Sequence, residues 1–174
     1  MIILAFDIAG RTGIAYGSAG GSPRATAVDL GKGRSEAVRF AKMIETTAFM
    51  LDRYKPDLVV YEAPIGGPRT SHFLVGIASC FTGQARLMGY DPKACSIASI
   101  RKHFLGKNLT TRDFPGWTKA KVRTEIKRQV IARCHLLGWP VRDDDEGDAV
   151  SLWDYAGATF GRAQSKPTGG LFHG

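Results

Sequence analysis

The chain has 174 residues, 44% hydrophobic and 23% charged, the length and balance of one globular domain with a sizeable core rather than of a disordered or fibrous chain. No apolar run approaches the ~20 residues that cross a bilayer, and the apolar N-terminus lacks the basic start of a signal peptide, so a cytoplasmic protein without membrane partners is expected. A net charge of +8 and a pI near 9.6 point to a polyanionic partner.

Residues 2–8 form a short, Ile-rich apolar run that predicts a buried strand ending at Asp7. Residues 12–17 and 24–30 predict two further strands joined by the Gly-rich turn 17–23, giving an antiparallel meander. From Ser35 to Tyr54 the spacing turns helical. Val38, Ala41, Ile44 or Glu45, Ala48, Phe49 and Leu51 or Asp52 sample the helical period, and Pro56 closes the segment. Leu58-Val59-Val60-Tyr61 predicts a central strand that ends at Glu62. A loop over 66–71 leads to a helix from about Ser71 to Met88, carrying Phe73, Leu74, Ile77, Ala78, Phe81 and Ala85. Residues 94–98 predict a fifth strand, and Ser99 caps a short helix through Phe104. After a polar loop over 107–117, a basic helix runs from about Thr118 to Leu137 with Val122, Ile126, Val130, Cys134 and Leu137 on one face. A last helix spans about Glu146 to Gly161.

The order βββαβαβαα predicts an α/β domain over 1–163, followed by a loose tail over 164–174. Its sheet is five-stranded and mixed: three antiparallel strands, then strands reached by helical crossovers. Right-handed crossovers place the fourth strand beside the first, so Asp7 and Glu62 terminate neighbouring strands at one sheet edge. Cys80, Cys95 and Cys134 are odd in number and far apart, as core thiols are.

The charge is concentrated. Residues 99–142 hold 11 Lys or Arg against Asp113 and Glu125, and the rest of the chain nearly balances at 13 basic and 14 acidic side chains. A segment so poor in compensating acids reads as a phosphate-binding surface, beyond the solvated face that explains most charge runs.

A carboxylate where a buried strand ends costs several kcal/mol unless a metal or donors compensate it, by the effective penalties known for buried ions. Asp7 and Glu62 both hold such positions. Asp145 and Asp148 lie three apart, hence on one helix face. Within the run Asp143–Asp148, N-capping and the helix dipole explain one or two acids but leave Asp148 on the apolar side, towards Leu152. Four carboxylates in one pocket would raise each other's pKa without a counter-cation. Oxygen-only ligation suits Mg²⁺ or Mn²⁺, and two such ions could clamp the attacking and leaving oxygens of a phosphoryl displacement. A metal-dependent nuclease follows. No Ser-His-Asp or Cys-His arrangement competes, and His72, His103, His135 and His173 show no shared ligand spacing.

Asp7-Ile8-Ala9-Gly10-Arg11-Thr12-Gly13 resembles the first strand and turn of the RNase H-like superfamily. Glu62 after the fourth strand, Gly83-Gln84-Ala85-Arg86 on the next helix and Asp145-Glu146-Gly147-Asp148-Ala149 on the last resemble its RuvC branch, the phage-type Holliday junction resolvases above all. The resemblance spans about Ile2 to Ala158. It implies a homodimeric Mg²⁺-dependent endonuclease of DNA recombination that nicks two opposed strands of a four-way junction symmetrically, leaving 5′-phosphates. Asp7, Glu62, Asp145 and Asp148 then become the metal ligands, and an assisting lysine corresponds to Lys119 or Lys121, with Lys107 a further candidate. The family's aromatic wedge after the strand-four Glu falls near Ile65, with Phe73 further along. Expected DNA contacts are Arg69, Arg86, Lys107, Arg112, Lys119, Lys121 and Arg123, with Trp117 available to stack on an unpaired base for about 1–3 kcal/mol. Arg86, on an apolar helix, is an equal candidate for a structural salt bridge. Two other classes compete: a non-catalytic basic DNA-binding module of the same fold, and an actin-like phosphotransferase, for which the chain is short and lacks a second phosphate-binding Gly loop.

Overall fold

A computed structural model describes residues 1–64 and 71–161; Ile65, Arg69 and the tail 164–174 lie outside them. The elements in chain order are β1 (Ile2–Asp7), β2 (Arg11–Ser18), β3 (Arg24–Asp29), α1 (Glu36–Tyr54), β4 (Leu58–Glu62), α2 (His72–Leu87), β5 (Lys93–Cys95), α3 (Ile97–Leu105), α4 (Lys119–Leu136) and α5 (Asp144–Phe160). The sheet order is β3-β2-β1-β4-β5, with β1–β2 and β2–β3 antiparallel and β1–β4 and β4–β5 parallel. The fourth strand therefore lies beside the first, as the crossover rule requires.

Strand alternation divides the core into two layers. Leu4 and Phe6 of β1 pack with Met43, Met50 and Leu51 of α1 and with Ile77 and Phe81 of α2. Ile3 and Ala5 point the other way, towards Ile100 and Phe104 of α3, Val130 and Cys134 of α4, and Ala149, Leu152, Trp153 and Ala156 of α5. Helix α5 lies across the middle of the sheet, and β2 admits it by being small on that face. A Cβ on Gly13 would fall 2.7 Å from the Asp145 carbonyl carbon, and the Trp153 indole donates to the Gly17 carbonyl at 3.3 Å. Among the described residues no helix is long and apolar enough to cross a membrane.

Several local expectations shift. The buried face of α1 is Met43, Thr46, Thr47, Met50 and Leu51, whereas Val38 and Phe49 are 52% and 62% exposed. Apolar content alone misassigned that face, because two threonines are buried and Thr47 returns its hydroxyl to the Met43 carbonyl at 2.7 Å. Strand β5 ends at Cys95, and Ser96, not Ser99, caps α3 by accepting from the Ser99 amide at 3.2 Å. Helix α5 starts at Asp144, two residues before the expected position, because Asp143 is the N-cap and accepts from the Glu146 amide at 3.0 Å. Within the 107–117 loop, Thr111–Asp113 form a 3₁₀ turn capped reciprocally by Thr110 and Asp113.

Candidate functional site

The parity that builds the core also aims the acids. Asp7 continues the Ile3-Ala5 series of β1 and Glu62 follows Val60 of β4, so both carboxylates leave the sheet on the α5 side. The β1–β4 register pairs Phe6 with Tyr61, which makes Asp7 and Glu62 the next residues out on adjacent strands. Asp145 and Asp148 meet them from the first turns of α5. All four line one open cavity of about 850 Å³ at the carboxyl ends of the parallel strands.

The acidic run on α5 is partitioned by geometry. Asp143 caps the helix. Asp144 pairs with Lys127. Glu146 is buried and turned away, its carboxylate accepting from the Arg142 amide at 2.8 Å and from the Arg142 guanidinium. Asp145 and Asp148 alone face the cavity.

A basic wall stands opposite. Lys119, Arg123 and Lys127 recur every four residues on α4, so they form one stripe, and all three line the cavity with Val122 and Ile126 between them. Arg101 of α3 completes the wall. Lys121, offset by two from that stripe, instead lays its ammonium 4.1 Å from the Trp117 ring centroid, and Lys107 pairs with Asp113 at 3.2 Å. Of the three candidate lysines, only Lys119 reaches the cavity lining.

The electrostatics are those of crowded anions. Burial, then the charges of Glu62, Asp148 and Asp145, hold the Asp7 carboxyl well above the ordinary carboxylate range. Burial and the Asp148 charge push Glu62 up to about 7. Burial pushes Asp148 up to about 6, with Lys127 and Arg101 holding it below what burial alone would give. The surrounding side-chain cations thus leave negative charge uncompensated, and an all-oxygen donor set with that property fits hard divalent ions. As the side chains stand, no three acidic, His or Cys groups among the described residues close around one point. The α5 acids are held by cations instead: Arg11 bridges Asp145 and Asp143, while Lys127 holds Asp144 and approaches Asp148 to 3.9 Å.

Other expected contacts separate. Arg86 sits at the far end of α2, bound to Asp91, which also takes Lys93; it belongs to a structural ion pair away from the cavity. Arg112 lies exposed in the 3₁₀ turn, next to Thr110 and Thr111 of the cavity rim. Trp117 is 37% exposed and stacks on Phe114 at 5.1 Å between centroids, whereas Trp139 and Trp153 meet edge to face in the core. Phe73 is occupied by Arg39, whose guanidinium lies 3.8 Å above its ring centroid. His103 pairs with Asp154 at 2.8 Å, His135 hydrogen-bonds the Val141 carbonyl at 3.2 Å, and His72 opens α2 outside the cavity lining. Sequence reasoning missed Arg11, Arg101 and Lys127. The four-residue recurrence of Lys119, Arg123 and Lys127 was the available signal for the last; nothing local marked the other two.

This is an α/β domain with the RNase H-like fold, its acids collected at one sheet edge. The chain shares its fold with the RuvC Holliday junction resolvases. It is similar to Thermus thermophilus RuvC, solved alone and in complex with a Holliday junction substrate, at TM-score 0.70 and 14% identity over 94% of this chain and 96% of that one. It is also similar to the yeast mitochondrial Holliday junction resolvase Ydc2, at TM-score 0.58 and 9% identity over 92% of this chain and 82% of that one. No sequence-family model matches the chain, and no curated protein matches it in sequence.

Proposed function

We propose that this protein is a divalent-metal-dependent endonuclease of branched DNA, acting on four-way junctions as a homodimer that nicks two opposed strands. The observation that carries this reading is the convergence of Asp7, Glu62, Asp145 and Asp148 on one cavity whose opposite wall is Arg101, Lys119, Arg123 and Lys127. A phosphodiester is the substrate class that such a pair of walls suits: the cations bind the backbone and the acids take the metal. Bound Mg²⁺ or Mn²⁺ would activate water and steady the departing oxygen. Arg123 and Lys119 would hold the backbone across the mouth, and Lys119 would assist at the scissile phosphate. The overlap with resolvases over nearly the whole chain supports the junction as substrate. Two-fold symmetric nicking calls for a two-fold symmetric enzyme, hence the dimer.

The test is gel cleavage of matched linear, forked and four-way DNA by wild type and Asp7→Asn, with Mg²⁺, Mn²⁺ or chelator. Wild type is expected to cut the four-way substrate in symmetric pairs and to stop in chelator. Asp7→Asn is expected to bind the junction as well or better, since one repelling charge is gone, and not to cut it. Cleavage retained by Asp7→Asn removes the proposal.

A further inference from the structure

Lys127 is the member of the basic wall that reaches the acids themselves, and it is the cation paired with Asp148. Its side chain is 21% exposed, with the ammonium bound to Asp144 and 3.9 Å from Asp148, which is 16% exposed. Asp144 is 41% exposed and lies outside the cavity lining, whereas Asp148 lies within it. The ammonium therefore spans two carboxylates of different kinds, one able to ligate a metal and one not.

We propose that Lys127 is a resident counter-cation that competes with divalent metal for Asp148, and that Asp144 is the carboxylate to which it withdraws when metal arrives. The inference rests on the reading of the cavity as a metal site. Without metal, a charge at 3.9 Å offsets part of the repulsion that Asp148 exerts on Asp7 and Glu62, so the folded protein tolerates its crowded acids. With metal, the same charge repels the incoming ion at a range of several ångströms, where one unit charge opposing a divalent ion changes affinity by about tenfold in a water-like dielectric. The Asp144 partner limits this cost by drawing the ammonium aside along an ion pair that already exists. Lys127 thereby acts through Asp148 and sets how tightly the DNA-free protein takes up metal.

Mn²⁺ uptake by the DNA-free chain, followed by the electron paramagnetic resonance of free Mn²⁺ at constant pH, tests this without any cleavage step. Lys127→Met is expected to bind Mn²⁺ about tenfold more tightly than wild type, and Lys127→Arg, which keeps the charge, to stay within a factor of two or three. Asp144→Asn is expected to weaken uptake about tenfold in the wild-type background, because Lys127 is then left to Asp148 alone. In the Lys127→Met background it should weaken uptake by threefold or less, which separates withdrawal from simple long-range attraction. Circular dichroism melts establish that each variant is folded, and Lys127→Gln replaces the Met variant if that one is not. Unchanged or weaker uptake in folded Lys127→Met, or an equal effect of Asp144→Asn in both backgrounds, overturns the proposal. Wild type that takes up no Mn²⁺ at all overturns the metal-site reading beneath it, a result distinct from either.

Discussion

Replacing Glu62 by Gln should stabilise the metal-free protein at alkaline pH, although Glu62 sits at the heart of the site. Its carboxyl is held at about 7 against an ordinary 4.5, first by burial and next by the Asp148 charge. A group raised in the folded state contributes its full stability below its unfolded pKa, and loses it as pH climbs through the folded value. For Glu62 that window runs from about 4.5 to about 7, and Asp148 adds a second from 3.8 to about 6. Raising the carboxyl from 4.5 to about 7 corresponds to about 3 kcal/mol, at about 1.36 kcal/mol for each tenfold change in proton affinity. At pH 8 in chelator, the ionised Glu62 therefore costs the fold on the order of 3 kcal/mol, which Gln relieves while keeping the shape. Urea unfolding of wild type and Glu62→Gln at pH 5 and pH 8, in chelator and in excess Mg²⁺, measures the effect. The variant should be more stable by about 2–3 kcal/mol at pH 8 in chelator, on the order of 4–12 °C in melting temperature for a chain of this size. The gap should nearly close at pH 5, where the wild-type carboxyl is protonated. Excess Mg²⁺ should narrow it at pH 8 by stabilising wild type alone. A variant less stable than wild type at pH 8 in chelator would refute the argument, because Glu62 would then have compensating donors and the pocket would not be short of positive charge.

Two further outcomes follow from the packing and the charge map. Gly13→Ala puts a methyl group into the Asp145 backbone, so α5 must shift; overpacking of this kind costs about 1–3 kcal/mol, and because the moved residue lines the cavity, Mn²⁺ affinity should fall together with urea stability. Arg123→Ala should weaken junction binding and lower the slope of log affinity against log salt by about one, whereas Arg86→Ala, at the remote Asp91 pair, should change neither; equal losses in binding titrations would contradict the placement of the basic wall.

What the sequence disclosed was whatever is written in short-range patterns. The apolar run ending at Asp7, the second run ending at Glu62 and the three-residue spacing of Asp145 and Asp148 are local facts. With the crossover rule they put Asp7 and Glu62 on neighbouring strands at one sheet edge, while the joining of Asp145 and Asp148 to them rested on the chemistry of a shared metal pocket. The clustering of positive charge in residues 99–142 was equally plain, but not which of those charges face the acids. That depends on the rotation of α4 about its axis, fixed when Val122, Ile126, Val130 and Cys134 settle against their neighbours; the same rotation turns Lys119, Arg123 and Lys127 inward and Lys121 towards Trp117. The buried face of α1 was misjudged for a related reason, since a threonine that satisfies its hydroxyl within its own helix is buried as readily as a valine. Arg11, 134 positions from Asp145 along the chain, shows the limit most clearly. Ion pairs across such distances come from how helix and sheet dock, and docking answers to the shapes of buried surfaces, such as the bare backbone at Gly13, rather than to any period along the chain.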